Sequence, residues 1–137
     1  DMLRAAKEAA NSLPHQPKVV GITVLTSMDE ADLNATGVNA PLKEQVLNLA
    51  SLAQSSGLDG IVCSPHEISA IREQAGSDFT LVTPGIRPAG SDKGDQKRVM
   101  TPKEALDTGS NYLVIGRPVT QSEHPAQAAA DIFASLG

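Results

Sequence analysis

Four short apolar runs constrain the fold of this chain more than any other feature. Each run is continuous rather than alternating and is rich in Val and Ile, a pattern typical of parallel strands that are covered on both faces. The runs are KVVGITVL (residues 18–25), DGIVCS (59–64), FTLVTPG (79–85) and NYLVIGRP (111–118). The sequence therefore predicts a four-stranded parallel sheet with helices packed against it.

Segments with helical spacing of apolar residues alternate with these runs. They cover residues 1–13, 41–57, 64–76, 101–109 and 124–136. Ser64 and Thr101 each precede a proline, as N-cap residues do, and a cluster of Asp29, Glu30 and Asp32 marks a further helix start. Alternating strands and helices predict the α/β class. Four such units fit either a small doubly wound sheet or half of a (β/α)8 barrel, which takes about 250 residues.

Composition narrows the setting of this domain. With two Phe, one Tyr and no Trp among 137 residues, the core has to be aliphatic. A net charge of −5 argues against general nucleic-acid binding. No apolar run approaches the roughly 20 residues of a membrane span, so we expect no membrane association. A single cysteine, Cys63, suits a reducing compartment and predicts a cytoplasmic protein.

A long loop, TPGIRPAGSDKGDQKRVM (residues 83–100), separates the third apolar run from the next helix. Loops longer than about 12–15 residues are uncommon in compact domains unless they bind something or are slack. Four basic and two acidic side chains give this segment a net charge of +2. The loop is therefore suited to a small anion.

Two arginines lie beside glycines at the ends of the last two predicted strands. Arg87 follows Gly85 and Arg117 follows Gly116. A guanidinium can hold phosphate through two parallel hydrogen bonds, and glycine lets backbone amides approach an oxyanion. The pair predicts an anion site, and the alternative is that each arginine pairs with a nearby carboxylate.

Other reactive side chains favour structural roles. Cys63 ends a strand and could act as a nucleophile, but a small buried residue is the simpler interpretation. His15, His66 and His124 are scattered without the spacing of metal ligands, so we expect no metal site.

Five blocks in order and spacing resemble orotidine 5′-phosphate decarboxylase of the bacterial type. They are ITVLTSM (residues 22–28), GLDGIVCS (57–64), LVTPGIRP (81–88), GDQKRVMTP (94–102) and NYLVIGRPVTQ (111–121). The resemblance covers essentially the whole chain and matches the C-terminal half of that family.

The resemblance implies a (β/α)8 barrel, usually a homodimer, that converts orotidine 5′-monophosphate to UMP and CO2 without cofactor or metal. Six positions correspond to substrate-binding residues of the family. By that correspondence Arg87, Gly116 and Arg117 hold the 5′-phosphate. Gln96 reaches across the nucleotide, and Thr26 and Ser27 contact the edge of the pyrimidine.

The reaction centre of that family is an Asp-x-Lys-x-x-Asp motif, which this sequence does not contain. The nearest string, SDKGDQK around Lys93, has the wrong spacing and is interpreted as solvated charge of a lid. We therefore expect residues 1–137 to form one partial domain, the second half of a barrel whose N-terminal half is absent from this chain, and to be inactive alone. Two alternatives stay open: a sugar-phosphate enzyme related to hexulose-phosphate synthases, and a non-catalytic phosphate-binding half-barrel.

Overall fold

A computed structural model describes residues 1–90 and 94–137 of the chain. The strands are β1 (Val20–Ile22), β2 (Gly60–Val62), β3 (Thr80–Thr83) and β4 (Tyr112–Leu113). The helices are α1 (Met2–Asn11), α2 (Glu30–Ala35), α3 (Leu42–Ser55), α4 (Ile68–Ala75), α5 (Pro102–Thr108), α6 (Arg117–Thr120) and α7 (Pro125–Ala134), and a 3-10 turn spans Pro65–Glu67.

The four strands form one parallel sheet in the order β1-β2-β3-β4. Each strand therefore lies beside its neighbour in sequence, as in successive units of a barrel. This arrangement confirms the predicted α/β class and the parallel sheet. It also brings the carboxyl ends of all four strands, and the loops that follow them, to the same edge of the sheet.

The hydrophobic core lies between the sheet and helices α3, α4 and α5. Ile61 of β2 and Leu81 of β3 occupy equivalent register positions and are fully buried. The helices meet them with small or branched side chains at helical spacing, namely Val46, Ala50, Ala53, Ile68, Ile71 and Ala105. Because the sheet supplies few aromatic residues, close packing of these aliphatic side chains holds the layers together.

The opposite face of the sheet carries an apolar row. Ile22, Val62, Val82 and Tyr112 are successive register partners across the four strands. Ile22 is 63% exposed and Tyr112 is 55% exposed, whereas the two valines between them are half-buried. The sheet therefore presents an apolar surface on the side that faces away from α3, α4 and α5.

The fourth predicted strand was too long at its C-terminal end. Its last residues, Arg117 and Pro118, begin the short helix α6. Proline has no N–H to donate to a sheet ladder, and its fixed φ suits the first turn of a helix. By contrast, α2 begins where the acidic cluster predicted it, at a capping box between Asp29 and Asp32. Within the two described stretches, no helix is long and apolar enough to cross a membrane.

Candidate functional site

The last residues of the long loop between β3 and α5 run beside the first residues of the same loop. The Arg87 amide donates to the Met100 carbonyl at 2.9 Å, and the Met100 amide donates to the Gly85 carbonyl at 3.3 Å. Gly85 has a φ of 78°, and a Cβ there would lie 2.7 Å from the carbonyl oxygen of Arg98. Only glycine therefore fits where the two legs of the loop cross the end of β3.

Three successive residues of the returning leg bond to the segment that follows β1. The first is Gln96, whose side-chain oxygen accepts a hydrogen bond from the Thr26 hydroxyl. Thr26 is buried and Gln96 is half-buried, so this contact is largely shielded from solvent. It places an amide side chain of the loop directly over the end of β1.

The second residue, Lys97, lies between two carboxylates at the start of α2. Its ammonium group donates to Asp29 at 2.8 Å and to Asp32 at 2.6 Å. The hydrogen bond from Lys97 is the main reason that the pKa of Asp29 falls to about 2, and it also lowers the pKa of Asp32. All three side chains are about half exposed to solvent, so this contact is a surface latch rather than part of the core.

The third residue, Arg98, is buried and makes the most extensive contacts. Its guanidinium pairs with the buried carboxylate of Glu67 and also donates to the carbonyl of Leu25 at 2.8 Å and of Val24 at 3.3 Å. Arg98 is 9% exposed and Glu67 is 4% exposed. This ion pair therefore joins the loop, the end of β1 and the 3-10 turn after β2 in one buried contact.

A further pair extends the network to the end of β4. Arg117 pairs with Asp95 of the loop, and this guanidinium is the main reason that the pKa of Asp95 is lowered. Gln96, the next residue along the loop, also lowers the pKa of Asp95. Contacts thus run from Arg117 to Asp95 and, through the adjacent residue Gln96, to Thr26, and they span the carboxyl edge of the sheet.

A cleft of about 250 Å³ opens beneath this chain of contacts. Thr26, Ser27 and Gln96 supply its polar side chains, and its remaining walls are mostly apolar. Cys63 also lines the cleft, but it is 1% exposed, and burial raises the pKa of its thiol to about 12. The thiol therefore stays protonated near neutral pH, and its burial in the core confirms the interpretation of Cys63 as a buried packing residue.

The structure places four of the predicted site residues in one connected region. Thr26, Ser27 and Gln96 share the cleft, and Arg117 joins them through Asp95. In this structure Arg117 pairs with the carboxylate of Asp95. Pairing with a nearby carboxylate was the alternative to an anion site in the interpretation of the sequence.

The remaining two predicted residues differ in their surroundings. Arg87 is 8% exposed and donates to the carbonyl of Ile86 at 2.9 Å, whereas Arg117 is exposed at the surface, so the two arginines are not equivalent. Gly116 caps α6 at an exposed position where, among the described residues, no atom would lie within 4 Å of an added Cβ. Of the charged string SDKGDQK, residues 91–93 lie outside the described residues, whereas Asp95 and Lys97 form ion pairs with other segments of the chain.

Asp95, Arg98 and Glu67 were missed as members of this network. Each looks in sequence like an ordinary solvated charge, and Glu67 and Arg98 lie far apart in the chain. The signal that could have found Glu67 is its position in the short turn that follows β2, at the same edge of the sheet as the other polar residues. Among residues 1–90 and 94–137, no group of three or more His, Cys, Asp or Glu side chains is placed to hold a metal ion.

Comparison with known proteins assigns the chain to a family. The family model described as Orotidine 5′-phosphate decarboxylase / HUMPS family matches residues 1–132. A protein named orotidine 5′-phosphate decarboxylase from Hydrogenovibrio crunogenus is 54% identical over 136 residues, covering 99% of this chain and 58% of that protein. One of the same name from Actinobacillus succinogenes is 56% identical over 138 residues, covering 98% of this chain and 60% of its own length.

Solved structures agree with this assignment. The crystal structure of orotidine 5′-phosphate decarboxylase from Lactobacillus acidophilus superimposes with a TM-score of 0.82 at 38% identity, over 99% of this chain and 58% of that one. An uncharacterized conserved protein from Geobacillus kaustophilus gives a TM-score of 0.78 at 34% identity, with the same coverage. The chain thus spans about 58% of the length of these relatives, and its four strands are about half of a barrel.

Proposed function

Because this chain belongs to the orotidine 5′-phosphate decarboxylase / HUMPS family, we propose that it is the substrate-binding half of an enzyme that converts orotidine 5′-monophosphate to UMP and CO2 in pyrimidine synthesis. The observation that carries this proposal is the chain of contacts from Arg117 through Asp95 and Gln96 to Thr26. It connects a cation at one end of the sheet with an amide and a hydroxyl at the other end. A nucleotide needs groups in the same order, a cation for its phosphate and polar side chains for its base.

We assign the phosphate end of the substrate to the arginine side. Arg117 and Arg87 supply the positive charge for this end, and Gly116, which precedes Arg117, leaves open space around its own backbone. A phosphate would replace the Asp95 carboxylate on Arg117, because a dianion with three acceptor oxygens is a stronger partner for a guanidinium than a single carboxylate. Gln96 would then be free to span the nucleotide.

We assign the pyrimidine to the cleft at the end of β1. Thr26 and Ser27 offer hydroxyls that can donate to or accept from the polar edge of a base, and the apolar walls of the cleft suit its faces. Binding of a remote phosphate can stabilise a closed loop and orient the reacting ring, so loss of the phosphate contacts should lower turnover as well as affinity.

We further propose that the rest of a (β/α)8 barrel covers the apolar row of Ile22, Val62, Val82 and Tyr112. A half barrel leaves unpaired strand edges and an open inner face, which folded proteins rarely tolerate. The catalytic lysine and aspartates would come from that other half, supplied by the same polypeptide or by a separate chain of different sequence. A stably folded, monomeric species of 14.2 kDa formed by this chain alone would contradict this part of the proposal.

Two features of the proposal concern the whole enzyme. We expect it to act as a homodimer, as the family resemblance implies, and in the cytoplasm, where Cys63 would remain reduced.

Calorimetric titration of the complete protein tests the substrate. We expect UMP to bind at least about tenfold more tightly than ribulose 5-phosphate, a difference of about 1.4 kcal/mol, because only the nucleotide fills the cleft at Thr26. Release of CO2 from orotidine 5′-monophosphate should accompany this preference. A preference for the sugar phosphate would favour a sugar-phosphate enzyme of the same family. Binding of UMP with no decarboxylation in the complete protein would favour a non-catalytic phosphate-binding module.

A further inference from the structure

We propose that Arg98, oriented by the buried carboxylate of Glu67, is a positioning residue that holds Gln96 against Thr26 at the mouth of the cleft. Neither residue of this buried pair lines the cleft, so their role is to fix the loop and not to touch the substrate. The inference deepens the proposed function, because it takes the cleft to be the nucleotide site.

Spacing along the two chain segments supports this role. Gln96 and Arg98 are separated by one residue on the loop, and their partners are Thr26 and the carbonyls of Val24 and Leu25 just before it. Since consecutive Cα atoms lie only about 3.8 Å apart, a guanidinium anchored on those carbonyls leaves the Gln96 backbone little freedom. Two contacts this close together fix both the position and the direction of the loop as it passes the end of β1.

The chemistry of the pair favours orientation over stability. A buried ion pair adds little net stability, and apolar replacements of similar volume are often neutral or stabilising. Within the part of the chain that the structure describes, the Glu67 Oε2 and Arg98 Nε atoms are buried without a hydrogen-bond partner. An incompletely satisfied pair of this kind is costly to bury, so we infer that it is retained for its geometry.

Arginine is required at this position by the shape of its side chain. One terminal nitrogen pairs with Glu67 while the other donates to two backbone carbonyls. A lysine ammonium keeps the charge, but it is a compact point donor and cannot span partners on both sides. Arg98→Lys therefore removes the anchoring geometry with little change in charge or volume.

Hydrogen exchange in the complete protein tests the anchor without any ligand. In Arg98→Lys we expect the amides of Arg87 and Met100, which hydrogen bond across the two legs of the loop, to exchange about tenfold faster or more, because local opening becomes easier by at least about 1.4 kcal/mol. The matched control is Lys103→Gln, which breaks the exposed pair between Lys103 and Asp107 and should leave those amides unchanged. Unchanged exchange in Arg98→Lys would overturn the proposal.

UMP binding then tests whether the anchor acts through Gln96. We expect Arg98→Lys to weaken UMP binding about fivefold to tenfold in the otherwise native protein, and less than about twofold in a Gln96→Ala background, because residues that act as a unit are not additive. Equal losses in both backgrounds would show that Arg98 is merely structural. If Arg98→Lys does not fold, Glu67→Gln keeps the shape of the pair and is subject to the same two tests.

The two measurements separate this inference from the proposed function. Absence of UMP binding in the native protein would refute the nucleotide site, and the exchange experiment would still decide whether Arg98 anchors the loop. Faster exchange without any change in UMP affinity would refute the positioning role while leaving the nucleotide site intact.

Discussion

Gly85→Ala should destabilise the folded protein far more than the same substitution at another glycine that has a left-handed backbone conformation. Gly85 has a φ of 78°, and an added Cβ would lie 2.7 Å from the Arg98 carbonyl oxygen. The left-handed conformation costs alanine about 1–2 kcal/mol, and displacing a packed neighbour typically adds about 1–3 kcal/mol. We therefore expect a loss of about 2–5 kcal/mol in the free energy of unfolding.

Gly57→Ala is the matched control for this prediction. Gly57 has a φ of 82°, and no described atom lies within 4 Å of a Cβ placed there, so alanine should cost only the conformational part of about 1–2 kcal/mol. Urea unfolding of the complete protein measures both losses, and UMP titration should show weaker binding only in Gly85→Ala. Equal losses of stability in the two variants would refute the claim that the loop packs directly on the end of β3.

Three further predictions concern single side chains. Arg87→Ala, in a variant shown to be folded, should weaken UMP binding by about 2–5 kcal/mol, because it removes the charge-assisted contact that we propose Arg87 makes with the phosphate. Unchanged affinity by calorimetry would remove Arg87 from the site. Cys63 should resist iodoacetamide at about pH 8 and react only in denaturant, since burial raises the pKa of its thiol to about 12. Mass spectrometry measures the labelling, and rapid modification of the folded protein by iodoacetamide would contradict the burial of Cys63. The pKa of Asp29 is lowered from 3.8 to about 2, so the contribution of Asp29 to stability is present above about pH 4 and is lost as the pH falls toward 2. Lys97→Met should therefore make stability depend less on pH in this range of an acid-unfolding curve. An unchanged curve would argue against the latch.

The fold could be predicted from local signals because those signals agree with one another. Helix α5 illustrates this. Its start was predicted from Thr101, Pro102 and Glu104, and its end from Gly109. The structure shows the capping box at the start and the left-handed glycine at the end. Continuous Val and Ile runs likewise identified every strand of the sheet. The same rule failed at α6, where apolar residues beside Arg117 continue the strand pattern although a proline begins a helix.

The site could be predicted only in part, because its network depends on tertiary proximity. Thr26 and Gln96 were predicted separately, and nothing in the local sequence shows that one donates a hydrogen bond to the other. The burial of Glu67 and Arg98 was even less accessible, because charged residues are almost always exposed unless a partner elsewhere in the chain compensates them. Pairing across such distances is a property of the folded chain and not of either segment.

The three consecutive contacts of Gln96, Lys97 and Arg98 fix how the length of this loop can vary. Each residue reaches a different partner, so deleting one residue from this triplet, or inserting one within it, would place the wrong side chain at the remaining partners. A lysine moved into the place of Arg98, for instance, would meet the buried carboxylate of Glu67 without the fork that reaches the backbone. Changes of loop length intended to alter substrate access therefore belong before Gly94, where they leave this register intact.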